Sequence, residues 1–207
     1  MLYFAKTPWW LKKLYSGCIW QMPLKTTKGI YLTFDDGPHP EATPFVLDEL
    51  KKYNAKATFF CIGKNVVEHP GIYKRIISEG HRIGNHTFNH LNGWKVDDRL
   101  YLQNILEAKK YIDSDLFRPP YGKISKFQLQ LLRAPGFKII MWSVLSGDFD
   151  IKLSSEKCLK NVLNNSVNGS IIVFHDSEKA FNHLRYVLPK VLKSLSDEGF
   201  VFEKITQ

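Results

Sequence analysis

The sequence predicts an α/β fold built on a parallel sheet, and three observations carry that reading. Short, continuously apolar runs recur along the chain, as a strand buried on both faces requires. Each run is followed by a segment with helical caps and helical apolar spacing, so strand and helix alternate about seven times. The third observation is where the polar residues fall. Asp35, Asp36, His86, His90, Arg118, Tyr121, Asp148 and His175 all lie just after apolar runs. In a parallel barrel those strand ends share one rim, where barrel enzymes place their chemistry. A doubly wound sheet fits the same alternation.

The elements follow in order. Residues 30–35 read as a strand. Thr43 is the expected N-cap of the next helix, with Pro44 at the first helical position and Phe45, Leu47, Leu50 and Tyr53 on one face. Residues 57–62 form a second apolar strand. A helix over 70–79 is stopped by Gly80, and a short strand over 82–84 leads to His86. Asp97 caps a long helix whose apolar positions include Leu100, Ile105, Ala108 and Ile112. A strand over 116–118 runs into Pro119-Pro120-Tyr121-Gly122. Ser125 caps a helix to about residue 133, and residues 137–144 read as one strand. Ser154 or Ser155 caps a helix to about 163. Residues 170–174 are a strand ending at His175. A helix over 179–196, with a kink expected at Pro189, stops at Gly199, and the last strand covers 200–204.

A chain of 207 residues, 44% hydrophobic and 24% charged, suits one globular domain with a substantial core. The net charge of +9 suits an anionic cell-wall polymer, lipid headgroup or nucleic acid. No nucleic-acid motif is present and the lysines form no run, so nucleic acid is set aside. Three cysteines, with no pair at C-x-x-C spacing, argue against a disulfide framework and favour a reducing compartment. No uncharged apolar run reaches membrane-spanning length. Residues 1–23 hold Trp9, Trp10, Leu11, Leu14, Tyr15, Ile19 and Trp20 among Lys6, Lys12 and Lys13, without an export cleavage pattern. The expectation is an amphipathic N-terminal extension, residues 1–27, packed on a catalytic domain of residues 28–207. Peripheral membrane contact through Trp and Lys is the sharper alternative. A cytoplasmic or membrane-peripheral location follows.

The chemistry begins at Thr33-Phe34-Asp35-Asp36-Gly37-Pro38. Two adjacent carboxylates at the end of a buried strand are costly unless something neutralises them. A metal on one lets the other stay ionised and act as a base. His86 and His90 are four residues apart, a spacing that shares one face of a helical turn. With Asp36 they make a two-histidine, one-carboxylate set suited to Zn²⁺, and also to Fe²⁺, Co²⁺ or Ni²⁺.

Taken together, Thr33-Phe34-Asp35-Asp36-Gly37-Pro38, His86-Thr87-x-x-His90, Arg118-Pro119-Pro120-Tyr121 and Phe174-His175-Asp176 resemble the polysaccharide deacetylase family, carbohydrate esterase family 4, related to chitooligosaccharide deacetylases. The resemblance covers about residue 28 to the C-terminus. It implies a distorted (β/α) barrel of about seven parallel strands and a divalent metal, commonly zinc. It also implies hydrolysis of N-acetyl groups on N-acetylglucosamine-type sugars. By that resemblance Asp36, His86 and His90 form the metal triad and Asp35 is the general base. Arg118 pairs with the base, the Tyr121 backbone N–H assists the oxyanion, His175 is the general acid and Asp148 orients it. Phe149, Val173 and Trp142 shape the acetyl pocket. The segment Leu145-Ser146-Gly147-Asp148-Phe149 departs from the family's Asp-x-x-Asp-Trp by lacking the first Asp and replacing Trp with Phe. The leading expectation is therefore a metal-dependent carbohydrate N-deacetylase. An O-acetyl esterase with the same site and a non-catalytic glycan-binding module are the rivals.

Overall fold

A computed structural model describes residues 3–24 and 28–206. The strands are β1 (Gly29–Asp35), β2 (Ala57–Cys61), β3 (Arg82–Asn85), β4 (Leu116–Phe117), β5 (Lys138–Ile139), β6 (Val144–Leu145), β7 (Ile171–His175) and β8 (Val201–Phe202). The helices are α1 (Trp9–Leu14), α2 (Ala42–Lys52), α3 (Gly63–Glu68), α4 (Pro70–Ser78), α5 (Asp98–Lys109), α6 (Lys126–Arg133), α7 (Ser155–Leu163) and α8 (Glu178–Asp197). All strand pairs are parallel, in the order β5-β4-β3-β2-β1-β7-β6, with β8 beside the start of β1.

That order has a consequence for shape. The two edges of the sheet, β5 and β6, are separated by only residues 140–143. One extended segment therefore pairs first with β4 and then with β7, curling the sheet into a barrel. Counted as one inclined strand, β5 and β6 make the strand total seven. The single strand expected over 137–144 is broken because its middle carbonyls serve a different donor. Arg118 donates from Nε to the Ile140 carbonyl at 3.1 Å and from Nη2 to the Met141 carbonyl at 3.0 Å.

Residues 3–24 cover the open edges this leaves. Leu145 N–H donates to the Ala5 carbonyl at 2.8 Å, Met141 N–H to Ile19 at 2.8 Å and Met22 N–H to Gly169 at 2.9 Å. Of α1, Leu11 packs inward with the following Tyr15, whereas Trp9, Trp10 and Leu14 are 74%, 49% and 51% exposed. The expected extension also includes residues 1–2 and 25–27, which lie outside the described residues. No helix among the described residues is long and apolar enough to cross a membrane.

β1 is buried at all seven positions, and its alternation sorts two layers. Ile30, Leu32 and Phe34 face the helices with Leu47, Val162 and Leu188. Tyr31, with Phe60, Leu116 and Ile171, fills the barrel interior, and Thr33 and Asp35 follow it toward the rim. Phe34 stacks between Phe59 and Phe174, with ring centroids 5.1 and 5.9 Å away. Each such side chain contributes about 2 kcal/mol by burial. A one-residue slip would turn the ladder to the wrong face. The resulting register sets Asp35 opposite His175 of β7.

Local differences from the sequence reading have physical causes. Thr43 lies inside α2, whose first N–H groups, of Glu41 and Ala42, are met by His39 Nδ1 at 3.2 and 3.1 Å. Thr43 is free for another bond described below. Pro189 sits within α8, which runs unbroken from Glu178 to Asp197. The short α3 was not expected. Its backbone is tied to the histidine loop by Gly63 N–H to the Thr87 carbonyl at 2.9 Å and Lys64 N–H to Phe88 at 3.0 Å.

Candidate metal centre and catalytic rim

Arg118 follows β4 directly and is fully buried. A buried guanidinium is costly unless its donors are met and its charge is paired. Here Nη1 donates to Asp35 Oδ1 and to Thr33 Oγ1, both at 2.7 Å. The two carbonyls of residues 140 and 141 take Nε and Nη2, and the guanidinium lies 4.1 Å above the Phe60 ring. Burial pulls the Arg118 pKa down, and the Asp35 charge opposes it.

Asp36 turns back from the end of β1 with φ of 81°. Its Oδ1 faces His90 Nε2 at 3.2 Å and His86 Nε2 at 3.6 Å. That oxygen is buried and has no hydrogen-bond partner. Burial raises the Asp36 pKa, but His90, His175 and His86 outweigh it and hold the carboxyl well below the usual range. His86 Nδ1 lies 2.8 Å from the Arg118 carbonyl. Nδ1 therefore carries the proton and Nε2 presents its lone pair toward Asp36. Burial pushes His86 down to about 4, so it is neutral. Three ligand atoms lying within 4.8 Å of one another, one an orphaned carboxylate oxygen, fit a divalent cation.

The turn bearing the histidines is not helical, contrary to the sequence expectation. Thr87 and His90 are left-handed, with φ of 64° and 56°. Asn85 Oδ1 accepts from Thr87 N–H at 2.8 Å, and Asn104 Oδ1 of α5 accepts from Phe88 and Asn89 N–H at 2.9 and 3.0 Å. These side chains fix a conformation that a β-branched residue otherwise avoids.

Across the rim, His175 Nδ1 lies 2.8 Å from Asp148 Oδ1, and Asp148 Oδ2 accepts from His175 N–H at 2.8 Å. Burial pulls His175 down, but Asp148, Asp36 and Asp35 outweigh it and raise the pKa to about 9. Phe149 stands edge-on to His175 with ring centroids 5.2 Å apart, and Tyr3 backs it at 5.1 Å. Trp142 is half-buried, 5.9 Å from the Arg118 guanidinium carbon. Val173 is 1% exposed and lies one layer below, paired with Thr33 and Leu145. Tyr121, with φ of 60°, is 53% exposed and sets its ring 4.6 Å from that of His90.

All the site residues expected from sequence therefore lie at or just beneath one rim. Sequence reasoning missed the supports. Asp176, buried behind His175, accepts from Gly37 N–H at 3.1 Å and from Thr43 Oγ1 at 2.5 Å, pinning the turn after Asp36. A Cβ on Gly37 would meet Asp176 Oδ2 at 2.0 Å, so the approach requires glycine. Burial raises Asp176 to about 8, with Asp36 adding and Thr43 and Gly37 opposing. Asn65 Nδ2 donates to the Asp36 carbonyl at 2.7 Å. Asn104 left one legible signal: it falls on the inward face of α5 with Tyr101, Ile105 and Ala108.

The fold and rim define a (β/α) barrel of the carbohydrate-deacetylase class. The chain belongs to the polysaccharide deacetylase family, whose profile matches residues 24–140. It is 40% identical over 182 residues to a peptidoglycan-N-acetylglucosamine deacetylase of Bacillus cereus, across 84% of this chain and 65% of that one. It is 34% identical to the chitooligosaccharide deacetylase of Azorhizobium caulinodans, across 85% of this chain and 92% of that one. The crystal structure of the Bc1960 peptidoglycan N-acetylglucosamine deacetylase superposes with a TM-score of 0.87 at 35% identity, covering 96% of this chain and 95% of that one. The chain thus spans just under two thirds of the first relative and nearly all of the others.

Proposed function

We propose that the protein removes N-acetyl groups from N-acetylglucosamine-type sugars in peptidoglycan or chitooligosaccharide chains. In this reading Asp36, His86 and His90 hold a divalent metal, with zinc the best match to two imidazoles and one carboxylate. A metal bound there supplies Lewis acidity and an acidic water at neutral pH. One observation carries the reading: an Arg118-paired Asp35 and an Asp148-paired His175, opposite each other in the β1–β7 register, share the rim with the Asp36, His86 and His90 cluster. Asp35, held by Arg118, takes the proton of the attacking water. His175, protonated at neutral pH by its position beside Asp148, gives a proton to the departing amine. The Tyr121 N–H steadies the oxyanion, and Trp142 and Phe149 wall the acetyl group over Val173. Two titratable groups on opposite sides of the scissile bond are what amide hydrolysis requires.

A histidine held protonated favours the amide over the ester, whose leaving group departs with less assistance. Acetate release from N-acetylated chitooligosaccharides and peptidoglycan fragments tests the proposal, using metal-stripped protein with Zn²⁺, Co²⁺ or Ni²⁺ restored. Release that needs metal is expected. Metal-loaded protein that frees acetate only from esters would overturn it. The exposed Trp9, Trp10 and Leu14 beside Lys6 and Lys13 separately support peripheral contact with an anionic bilayer. Co-sedimentation with phosphatidylglycerol vesicles, lost in Trp9→Ala/Trp10→Ala protein, is the expected result.

A further inference from the structure

From His90 outward the rim continues into a surface that the chemistry above does not use. Beyond the Tyr121 ring, Lys123 Nζ lies 4.1 Å from the centroid of the Trp94 ring. Trp94 is 58% exposed. An exposed indole offers a flat stacking surface for the apolar face of a sugar ring.

Trp94 is held in place rather than left on a loose loop. Its backbone N–H donates to Asn92 Oδ1 at 3.0 Å, and Lys95 N–H donates to the Asn92 carbonyl at 2.9 Å. Gln128 Nε2 grips the Gly93 carbonyl at 2.7 Å, and Gln128 belongs to the capping box of α6. A Cβ on Gly93 would meet the Lys123 carbonyl at 2.6 Å, so the two loops are in direct backbone approach. The two loops that carry Trp94 and Lys123 are therefore held together before any ligand arrives, which reduces the ordering cost of binding. Among the described residues neither Lys123 nor Lys95 has a carboxylate within salt-bridge distance.

We infer that Trp94 and Lys123 form a subsite for a neighbouring sugar that carries a carboxylate. The sugar ring stacks on the indole and its carboxylate meets Lys123. This rests on the deacetylase reading and deepens it, because it favours an acidic amino-sugar chain over a neutral one.

The test is steady-state kinetics on two soluble substrates, tetra-N-acetylchitotetraose and a peptidoglycan tetrasaccharide with free carboxylates, at low and high salt. Lys123→Gln is expected to raise KM for the acidic chain about fivefold more than for the neutral chain, the size of one exposed charge pair. High salt should shrink the wild-type preference in the same direction. Trp94→Ala should raise KM for both chains, and Lys160→Gln on α7 should leave the ratio unchanged. A Lys123→Gln protein that shifts both substrates equally, or neither, would overturn the subsite. Tryptophan-fluorescence titration with the same two oligosaccharides reads the subsite without turnover. If neither chain is hydrolysed but the acidic one binds more tightly and loses that advantage in Lys123→Gln, the subsite stands and the catalytic reading fails. Equal binding of the two chains sinks the subsite itself.

Discussion

The two ends of the barrel solve the same backbone problem differently. At the end remote from the site, loops running from helix to strand take left-handed conformations at Gly80, Gly136, Gly169 and Gly199. Glycine adopts them without a Cβ penalty. At the rim Gly122 and Gly147 do the same, but the conformation is also borne by Asp36, Thr87, His90 and Tyr121, four of the five non-glycine residues with positive φ among the described residues. Asp36 and His90 belong to the proposed metal cluster, where glycine would remove a ligand, so strain is accepted there. The histidines make the same contrast. Burial depresses both His81, at the remote end, and His175, at the rim. Lys56, Lys204 and Arg75 add to the burial at His81 and bring it to about 4, whereas carboxylates lift His175 to about 9.

The largest break in this contrast comes from removing the orphaned carboxylate. Asp36→Ala is expected to abolish metal binding and lower the rate of acetate release about a thousandfold or more. Because His90, His175 and His86 hold Asp36 ionised in the fold, its loss should also lower the melting temperature of the metal-free protein at neutral pH. Elemental analysis and calorimetry of the variant check both parts, and a variant that keeps stoichiometric metal contradicts the triad. Next in size is Arg118→Met. It strands Asp35 as an unpaired buried charge and frees the residue 140 and 141 carbonyls, so a stability loss of about 3–5 kcal/mol in urea is expected. Recovery in Arg118→Met/Asp35→Leu would assign that loss to the stranded carboxylate.

The pH response distinguishes the two ends with a smaller effect. His175 is raised above its unfolded value near 6.5, so the stability it contributes is complete below pH 6.5 and is lost as pH rises toward 9. His81 is depressed, so its contribution is present above pH 6.5 and is lost as pH falls toward 4. Asp176, raised to about 8 by burial, also loses its contribution as pH rises, so melting temperatures of metal-free protein should decline on both sides of a maximum, the alkaline side carrying both groups. Asp148→Asn should make the alkaline decline shallower, leaving the share owed to Asp176, and should leave the acid one. A variant with both limbs intact would place the alkaline group elsewhere.

The same contrast explains how much of the molecule was legible in the sequence. The alternation of strands and helices was readable because buried parallel strands must be apolar throughout, and the rim residues were readable because they interrupt that pattern at strand ends. Ser125 and Asp97 cap their helices as their side chains dictate. The strand over 137–144 was misread because its pairing is set by Arg118, twenty residues away and invisible to any local pattern. The helical turn expected between His86 and His90 failed for a similar reason. Its geometry is imposed by Asn104 from α5 and Asn85 from β3, which override the i, i+4 rule. The clasp of Asp176 on Gly37 and Thr43 joins positions more than 130 residues apart and has no sequence period at all.

The smallest test isolates strain from chemistry. Asn54 is exposed at the remote end with φ of 48° and, unlike the rim residues, has no described part in the site. Asn54→Gly should raise stability by about 0.5 kcal/mol or less and leave acetate release unaltered, because glycine relieves a strain that nothing there uses. Tyr121→Gly relieves a comparable strain at the rim but removes the ring set against His90. It should gain no more stability than Asn54→Gly while losing activity several-fold. If the two substitutions affected activity alike, the left-handed rim residues would be incidental to the site, and the contrast between the two ends would reduce to loop geometry.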